Sequence, residues 1–418
     1  MNNITWGEMT RVFGRIGLIS FGGPAAQIAL MHHELVEKRR WLTEETYLRA
    51  LSLCMLLPGP EAMQLATYAG WRLRGTPGGI LAGLLFVLPG ALVIALLALL
   101  YALYGQLPLV QAAFLGIKAT VVVIVFQALQ KLSSTALNGK ANWALAIAAF
   151  FALFVFALPF PIIIVLAALY GLFSSKNTIE PGEVGNQKPA QTVRTIAIWS
   201  SLWGAPLLLL WITNQDFLLQ LGFFFSQLAV VTFGGAYAVL AYMTQTVVQE
   251  HGWISTQQMI DALGLAETTP GPLILVTEFV ALLAGYAHAG LIGAITAGIL
   301  ALWVTFTPCF LWIFVAGPYL ERISNEPRLA AALEGIKAAV VGVIANLSVW
   351  FALHVLFGNV TTGAFLALPT PELESADLRA GMLMICAACL MLLFNRGLPS
   401  TMAVMAGLGV LSTFLVSA

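Results

Sequence analysis

Apolar blocks, separated by short clusters of charge, proline and glycine, fill nearly the whole chain. Hydropathy and breakers place candidate spans at 10–35, 46–70, 78–104, 109–131, 142–158 and 160–174, then at 196–213, and again at 217–248, 256–286, 289–316, 329–356, 380–395 and 398–416. A block such as Ile80–Tyr104 exceeds the roughly 20 apolar residues that cross a bilayer as a helix. It shows none of the alternation over about 10 residues expected of a barrel strand. The pattern predicts an all-α polytopic membrane protein with about 13 transmembrane helices. Two pairs of short blocks read as tight hairpins: 142–158 with 160–174, joined around Pro159 and Pro161, and the last two, joined by Asn395-Arg396-Gly397. Ser174–Thr195 interrupts the pattern with Pro181, Gly182, Gly185 and Pro189 amid mixed charge, as a solvated linker does.

Two of the apolar blocks break in their own interior. Pro58, Gly59 and Pro60 stand together and are followed at once by Glu61; in the block before, Phe21-Gly22-Gly23 leads into Pro24. Proline inside a helix removes a donor and clashes with the preceding turn. Irregular backbone at membrane depth is tolerated only where protein or a water-filled cavity covers it. Such a break is either a binding site or a plain proline kink.

The same features recur. Phe21-Gly22-Gly23 returns as Phe233-Gly234-Gly235, Trp41 as Trp253, and Pro58-Gly59-Pro60 as Pro270-Gly271-Pro272, each 212 residues on. Gly70 matches Gly285 at an offset of 215, and Gly116-Ile117-Lys118-Ala119 matches Gly335-Ile336-Lys337-Ala338 at 219. The chain therefore divides into a first repeat, 1–175, a polar linker with a connecting span, 176–215, and a second repeat, 216–418. Six spans plus the lone one at 196–213 make an odd number, so the second repeat enters from the opposite side. Inverted repeats with broken helices at the midplane are the architecture of secondary transporters. That parity requires 142–174 to be a hairpin. Most Lys and Arg, including Arg11, Arg15, Arg72, Arg74, Lys131 and Lys140, fall on the side of the N-terminus, which is cytoplasmic by the positive-inside rule. Lys38, Arg39 and Arg40 fall on the other side and contradict it. A re-entrant Phe-Gly-Gly segment would suit them better; the spanning reading is retained because re-entry would misplace the other loops.

Composition narrows the functional classes. The 418 residues are 60% hydrophobic and 9% charged, with zero net charge and a mean hydropathy of +0.90. No basic stripe suits nucleic acid, and Met1–Arg15 lacks the small-residue cleavage site of a removable signal. Cys54, Cys309, Cys386 and Cys389 all lie in apolar segments; even the Cys386/Cys389 pair, on one helix face, reads as packing. There is no nucleophile–base pair, no phosphate loop and no metal-ligand set, so neither an enzyme nor a cofactor is expected.

The candidate chemistry lies at the breaks. Proline suits the first position of a new helical segment, so the stretches after Pro24, Pro60 and their copies present helix N-termini to the membrane interior. Each carries about +0.5 charge, and four together, about +2, match a divalent anion. Ser20, Thr232, Thr268 and Thr269 are candidate hydroxyl donors, and Gln64, one turn after Pro60, a candidate polar ligand or interhelical hydrogen bonder. For Gly22, Gly23, Gly234 and Gly235 the competing role is close helix packing. Lys118 and Lys337 sit inside apolar helices, where a charge costs at least about 2.5–3.5 kcal/mol and has a partner or a task. They either hold the anion, pair with Glu61, Glu267 and Glu278, or snorkel to the surface. One of these buried carboxylates is a candidate carrier of a coupling proton.

Taken together, Phe21-Gly22-Gly23-Pro24, the Glu34-Leu35-Val36-Glu37…Trp41 run, Leu57-Pro58-Gly59-Pro60 with Gln64 and Gly70, and the second copy of these features resemble the chromate ion transporter family in its long, two-domain form. The likeness covers nearly the whole chain. It implies export of chromate, with sulfate as the related tetrahedral dianion, across the bacterial inner membrane, driven by the membrane gradient and not by ATP. Membrane lipid is then the surroundings, and a homodimer is compatible. The second copy departs from the first with Ala236 in place of Pro24 and Leu273 in place of Glu61, so the halves are not expected to contribute equally. Alternatives are a carrier of sulfate or another anion in the same fold, a membrane-embedded enzyme such as a lipid transferase, and a sensor or assembly subunit that binds without flux.

Overall fold

The computed structural model describes residues 4–21, 23–174, 189–233, 236–320, 326–363, 368–394 and 396–416. It is an all-α membrane protein: among the described residues five helices are long and apolar enough to cross a bilayer, and shorter apolar helices accompany them. Two compact units, each drawing on both repeats, make up the chain. The first comprises Met1–Leu97, Ser174–Ala236 and Thr269–Ala331, the second Ala98–Phe173, Tyr237–Thr268 and Ala332–Ala418.

In the first unit, the opening block is not one helix spanning 10–35 but two that fold back on each other. Helix α1 (Trp6–Ile19) starts with a capping box, in which Thr5 Oγ1 accepts from the Glu8 amide at 3.2 Å and Glu8 Oε2 accepts from the Thr5 amide at 3.0 Å. After the break comes α2 (Gly23–His32), continued by a π-helical turn, His33–Lys38. A straight helix would hold Arg15 and Glu34 about 28 Å apart. Their side chains are 3.9 Å apart, and the Phe13 and Trp41 rings lie 6.4 Å apart, so α1 and α2 are antiparallel.

The Pro-Gly-Pro block does the same. Helix α3 (Glu44–Leu56) returns alongside α2, with the Tyr47 hydroxyl donating to Ile28 O at 2.6 Å and His32 Nε2 2.7 Å from Glu44 Oε2. Helix α4 (Glu61–Tyr104) then begins at the break and runs back to Arg74, whose Nε donates to Ile4 O, at the start of α1, at 2.8 Å. At about 1.5 Å per residue these segments are each roughly 20 Å long, short of a ~30 Å hydrocarbon core. A hydropathy window cannot register this, because a folded pair of half-length helices has the same apolar content as one spanning helix.

Helix α4 turns at Arg74 (φ −142°, ψ 27°) and Gly75 (φ +65°, ψ −162°), the second of which needs glycine. Its arms, 61–73 and 76–104, pack so closely that a Cβ on Gly70 would overlap the Gly78 carbonyl and lie 2.6 Å from Ala82 Cβ. Helix α12 (Val276–Ala316) repeats the device at Ala289 and Gly290 (φ +62°), with Gly285 against Gly293 and Ala297. Gly70, Gly75 and Gly78 thus match Gly285, Gly290 and Gly293, all at an offset of 215. The long arms of α4 and α12 run antiparallel: a Cβ on Gly79 would meet Phe314 at 2.7 Å, and one on Gly83 would meet Phe310 at 2.6 Å. Helix α8 (Pro189–Ile212) lies antiparallel to the long arm of α12. Thr192 pairs with Tyr319 at 2.8 Å, and Trp203 Nε1 donates to Val304 O at 3.1 Å. Helix α9 (Asp216–Val231) opens the second repeat.

The second unit contains α5 (Pro108–Ala136), α6 (Lys140–Phe154), α7 (Phe160–Ser174), α11 (Thr256–Thr268), α13 (Pro327–Leu356), α14 (Leu378–Ala388) and α15 (Leu398–Val416), with most of α10 (Ala236–Met243). A two-stranded antiparallel ribbon, Val360–Thr362 with Pro369–Pro371, caps it. Small residues set its helix contacts, as is usual in lipid. Gly116 of α5 rests on the backbone of α15 at Met405, and Gly335 and Gly342 of α13 rest on Ala167 and Ala146 of α7 and α6.

Candidate functional site

Within the first unit the breaks of the two repeats meet. The Gly59 amide donates to Thr232 O at 2.9 Å, and the Gly271 amide donates to Ser20 O at 2.9 Å. Each bond joins a Pro-Gly-Pro break of one repeat to a Phe-Gly-Gly break of the other, and the second is the first shifted by 212 residues. Positive φ makes both donors possible: +117° at Gly59 and +89° at Gly271. The junction lies beside the middle of the long arm of α4. Gly90 touches it, since a Cβ there would overlap the Pro270 carbonyl. Gly90 is about 22 Å along the long arm of α4 from the Gly75 turn and nearly as far from Tyr104.

A cavity of about 30 Å³ remains at the junction, lined by Pro24, Gln27, Gly59, Pro60, Glu61, Ala62, Thr232, Pro272, Leu273 and Ile274. Three helix beginnings reach the cavity: α2 through Pro24 and Gln27, α4 through Glu61 and Ala62, and the 3₁₀ turn Leu273–Leu275 that leads into α12. In α4 the first intrahelical acceptor is Pro60 O, bonded by the Gln64 amide at 3.1 Å. First-turn amides have no acceptor inside their own helix, and these ends carry the positive pole of the helix dipole.

Two buried glutamines brace the junction. Gln64 Nε2 donates to Pro58 O at 2.6 Å, and its Oε1 has no hydrogen bond among the described residues. Gln27, which the sequence reading missed, is 1% exposed and donates to Gly271 O at 2.6 Å and Ser20 O at 3.3 Å. Its signal was available: it follows Pro24 by three residues, much as Gln64 follows Pro60 by four. At the repeat offset, Gln27 corresponds to Val239, Gln64 to Val276, Glu61 to Leu273 and Pro24 to Ala236. The backbone frame is duplicated; these polar side chains belong to the first repeat alone.

Other expected residues fall as follows. Gly22, Gly234 and Gly235 lie outside the described residues; Gly23 has φ +77°. The Ser20 and Thr232 hydroxyls donate to the backbone one turn earlier, at Ile16 O (2.6 Å) and Leu228 O. Thr269 and Pro270 are buried beside the break, and Thr268 Oγ1 donates to Leu265 O. Glu278 is 3% exposed, with Oε2 lacking a hydrogen bond among the described residues.

Glu267 and both lysines belong to the second unit. The Tyr237 hydroxyl donates to Glu267 Oε1 at 2.7 Å. Lys118 pairs with none of the three expected glutamates. Its ammonium lies 3.4 Å from Asp261 Oδ1 and donates to Gln257 Oε1 at 2.6 Å. The reason is the close packing of α11 on α5, where Gly264 admits Ile117. Lys337 is half-buried and has no hydrogen bond or ion pair among the described residues.

A family model described as chromate transporter matches residues 7–172 and again 219–413. A probable chromate transport protein of Synechococcus elongatus is 31% identical over 349 residues, covering 81% of this chain and 82% of that one. Chromate transport proteins of Cupriavidus metallidurans and Pseudomonas aeruginosa are 30% and 32% identical over 367 and 352 residues. They cover 88% and 79% of this chain and 87% and 77% of their own. No solved structure matches it. Matched along both of its halves, the chain belongs to the chromate transporter family.

Proposed function

We propose that the protein is a secondary transporter that exports chromate, or the related dianion sulfate, across the bacterial inner membrane. It binds the anion where the four breaks converge. The observation that carries this reading is the reciprocal pair Gly59–Thr232 and Gly271–Ser20, with helix beginnings around one small cavity. Opposed half-length helices supply backbone dipoles to an anion without an intramembrane cation beside it. The family membership and the relatives' names supply the substrate.

Two repeats, 1–175 and 216–418, joined through 176–215, form an inverted pair in this reading. The antiparallel course of the long arms of α4 and α12, which are repeat equivalents, supports it. With α2 folded back on α1, Lys38, Arg39 and Arg40 return towards the end of the hairpin where α1 starts, which supports a cytoplasmic N-terminus by the positive-inside rule. A potential negative inside drives a dianion outward with about 4.6 kcal/mol per 100 mV, twice the figure for one charge.

Everted membrane vesicles test the proposal. Under an imposed potential, radiolabelled chromate should accumulate in vesicles containing the protein, and unlabelled sulfate should compete. Uptake equal to that of empty-vector vesicles at every potential would refute it.

A further inference from the structure

The second unit holds a larger polar cavity, about 560 Å³, within the range of small-molecule sites. Its lining includes exposed residues at helix ends and loops, Gln106 and Ser255 among them, so the cavity opens to the surface. Its inner wall is the Lys118–Asp261 pair. The Tyr101 hydroxyl donates to Asp261 Oδ2 at 2.7 Å, whereas among the described residues Oδ1 makes no hydrogen bond and lies 3.4 Å from the Lys118 ammonium. Among the described residues, the other charges lining this space are Asp377 and Arg379, which pair at 3.3 Å. Fully ionised, the cavity therefore carries no net charge. The constellation exists once: at the repeat offsets Asp261 corresponds to Arg49 and Tyr101 to Ala316.

We infer that this cavity is a second, proton-linked site for a small oxyanion, separate from the junction of the breaks. With Asp261 ionised, Lys118 is occupied by its carboxylate. When a proton from solvent binds Asp261 Oδ1, the carboxylate becomes a neutral acid. Lys118 then has no counter-ion, and the cavity gains one net positive charge. An oxyanion supplies the missing negative charge and accepts from the Lys118 ammonium. The cavity thus takes up anion and proton together and releases them together. This site needs the oxyanion class of the proposed substrate but not the proposed site at the breaks.

Equilibrium binding of radiolabelled sulfate to the purified full-length protein, between pH 5.5 and 8, tests the inference. Sulfate keeps its double charge across that range, so any pH dependence belongs to the protein. Affinity should rise about tenfold or more towards pH 5.5. Asp261→Asn should bind tightly with no pH dependence, and Lys118→Met should lose the pH-dependent component. Tyr101→Phe removes a donor that favours the ionised carboxylate, so it should move the midpoint to higher pH while leaving both charges in place. An Asp261→Asn protein that keeps the wild-type pH slope would overturn the inference. So would an unshifted midpoint in Tyr101→Phe, which decides the matter if the asparagine variant does not fold. Gln27→Leu should retain the pH-dependent binding even where its transport is lost, which separates this site from the one at the breaks.

Discussion

Gln27 Nε2 donates to the carbonyl oxygen of Gly271 at 2.6 Å, so a side chain of the first repeat closes on the broken backbone of the second. A buried carbonyl deprived of its donor costs about 1–3 kcal/mol. Gln27→Leu should therefore lower chromate flux by about tenfold or more, with normal amounts of protein in the membrane. Flux per unit of immunodetected protein is the measurement; an unchanged value would remove Gln27 from the junction's function.

Gly90 leaves no room for a side chain against Pro270. Gly90→Ala should destabilise the protein by about 1–3 kcal/mol through overpacking. Gly14, on α1, has open space around it and serves as the control. Thermal unfolding in detergent should drop for the first variant and hold for the second.

Gly75 and Gly290 turn their hairpins at φ +65° and +62°. An L side chain in that region costs about 1–2 kcal/mol. The two alanine variants should lose similar stability, because the turns are repeat equivalents with nearly equal angles. A large loss at one and none at the other, seen in the same unfolding assay, would contradict the shared geometry.

Tyr237 and Glu267 are bonded to each other within the second unit. Tyr237→Phe should cost about 1–3 kcal/mol of stability by leaving a buried acceptor unpaired. The KM for chromate should not move, since neither residue lines the junction cavity. A changed KM would bring this pair into the substrate path.

Much of the frame was legible in the sequence because it depends on backbone. Pro58-Gly59-Pro60 and its copy announce broken helices wherever they stand, and a constant offset of 212 identifies a duplication. The fold-back at Gly23 was signalled by the charges of Lys38, Arg39 and Arg40, whereas that at Gly59 was hidden, since apolar content does not reveal the direction of the next helix. The partner of Lys118 was hidden for a different reason. Asp261 stands 143 positions away in a helix whose own repeat mate carries Arg49, so the duplication offers no carboxylate there. Glu61, conspicuous in the sequence, does line the cavity; Glu267 does not.

The exchanged bonds of Gly59 and Gly271 also bear on how such a chain is assembled. A polypeptide with one repeat would own a donor at its Pro-Gly-Pro break and an acceptor at its Phe-Gly-Gly break, and could satisfy neither alone. Two identical copies, face to face, would satisfy both. The present chain resembles that pair written as a single polypeptide, with one advantage that identical partners lack. In a symmetric pair, every glutamine placed at the centre appears twice. Fusion allows the repeat counterpart of Gln27 to be a valine, so one half keeps the frame while the other acquires the polar side chains.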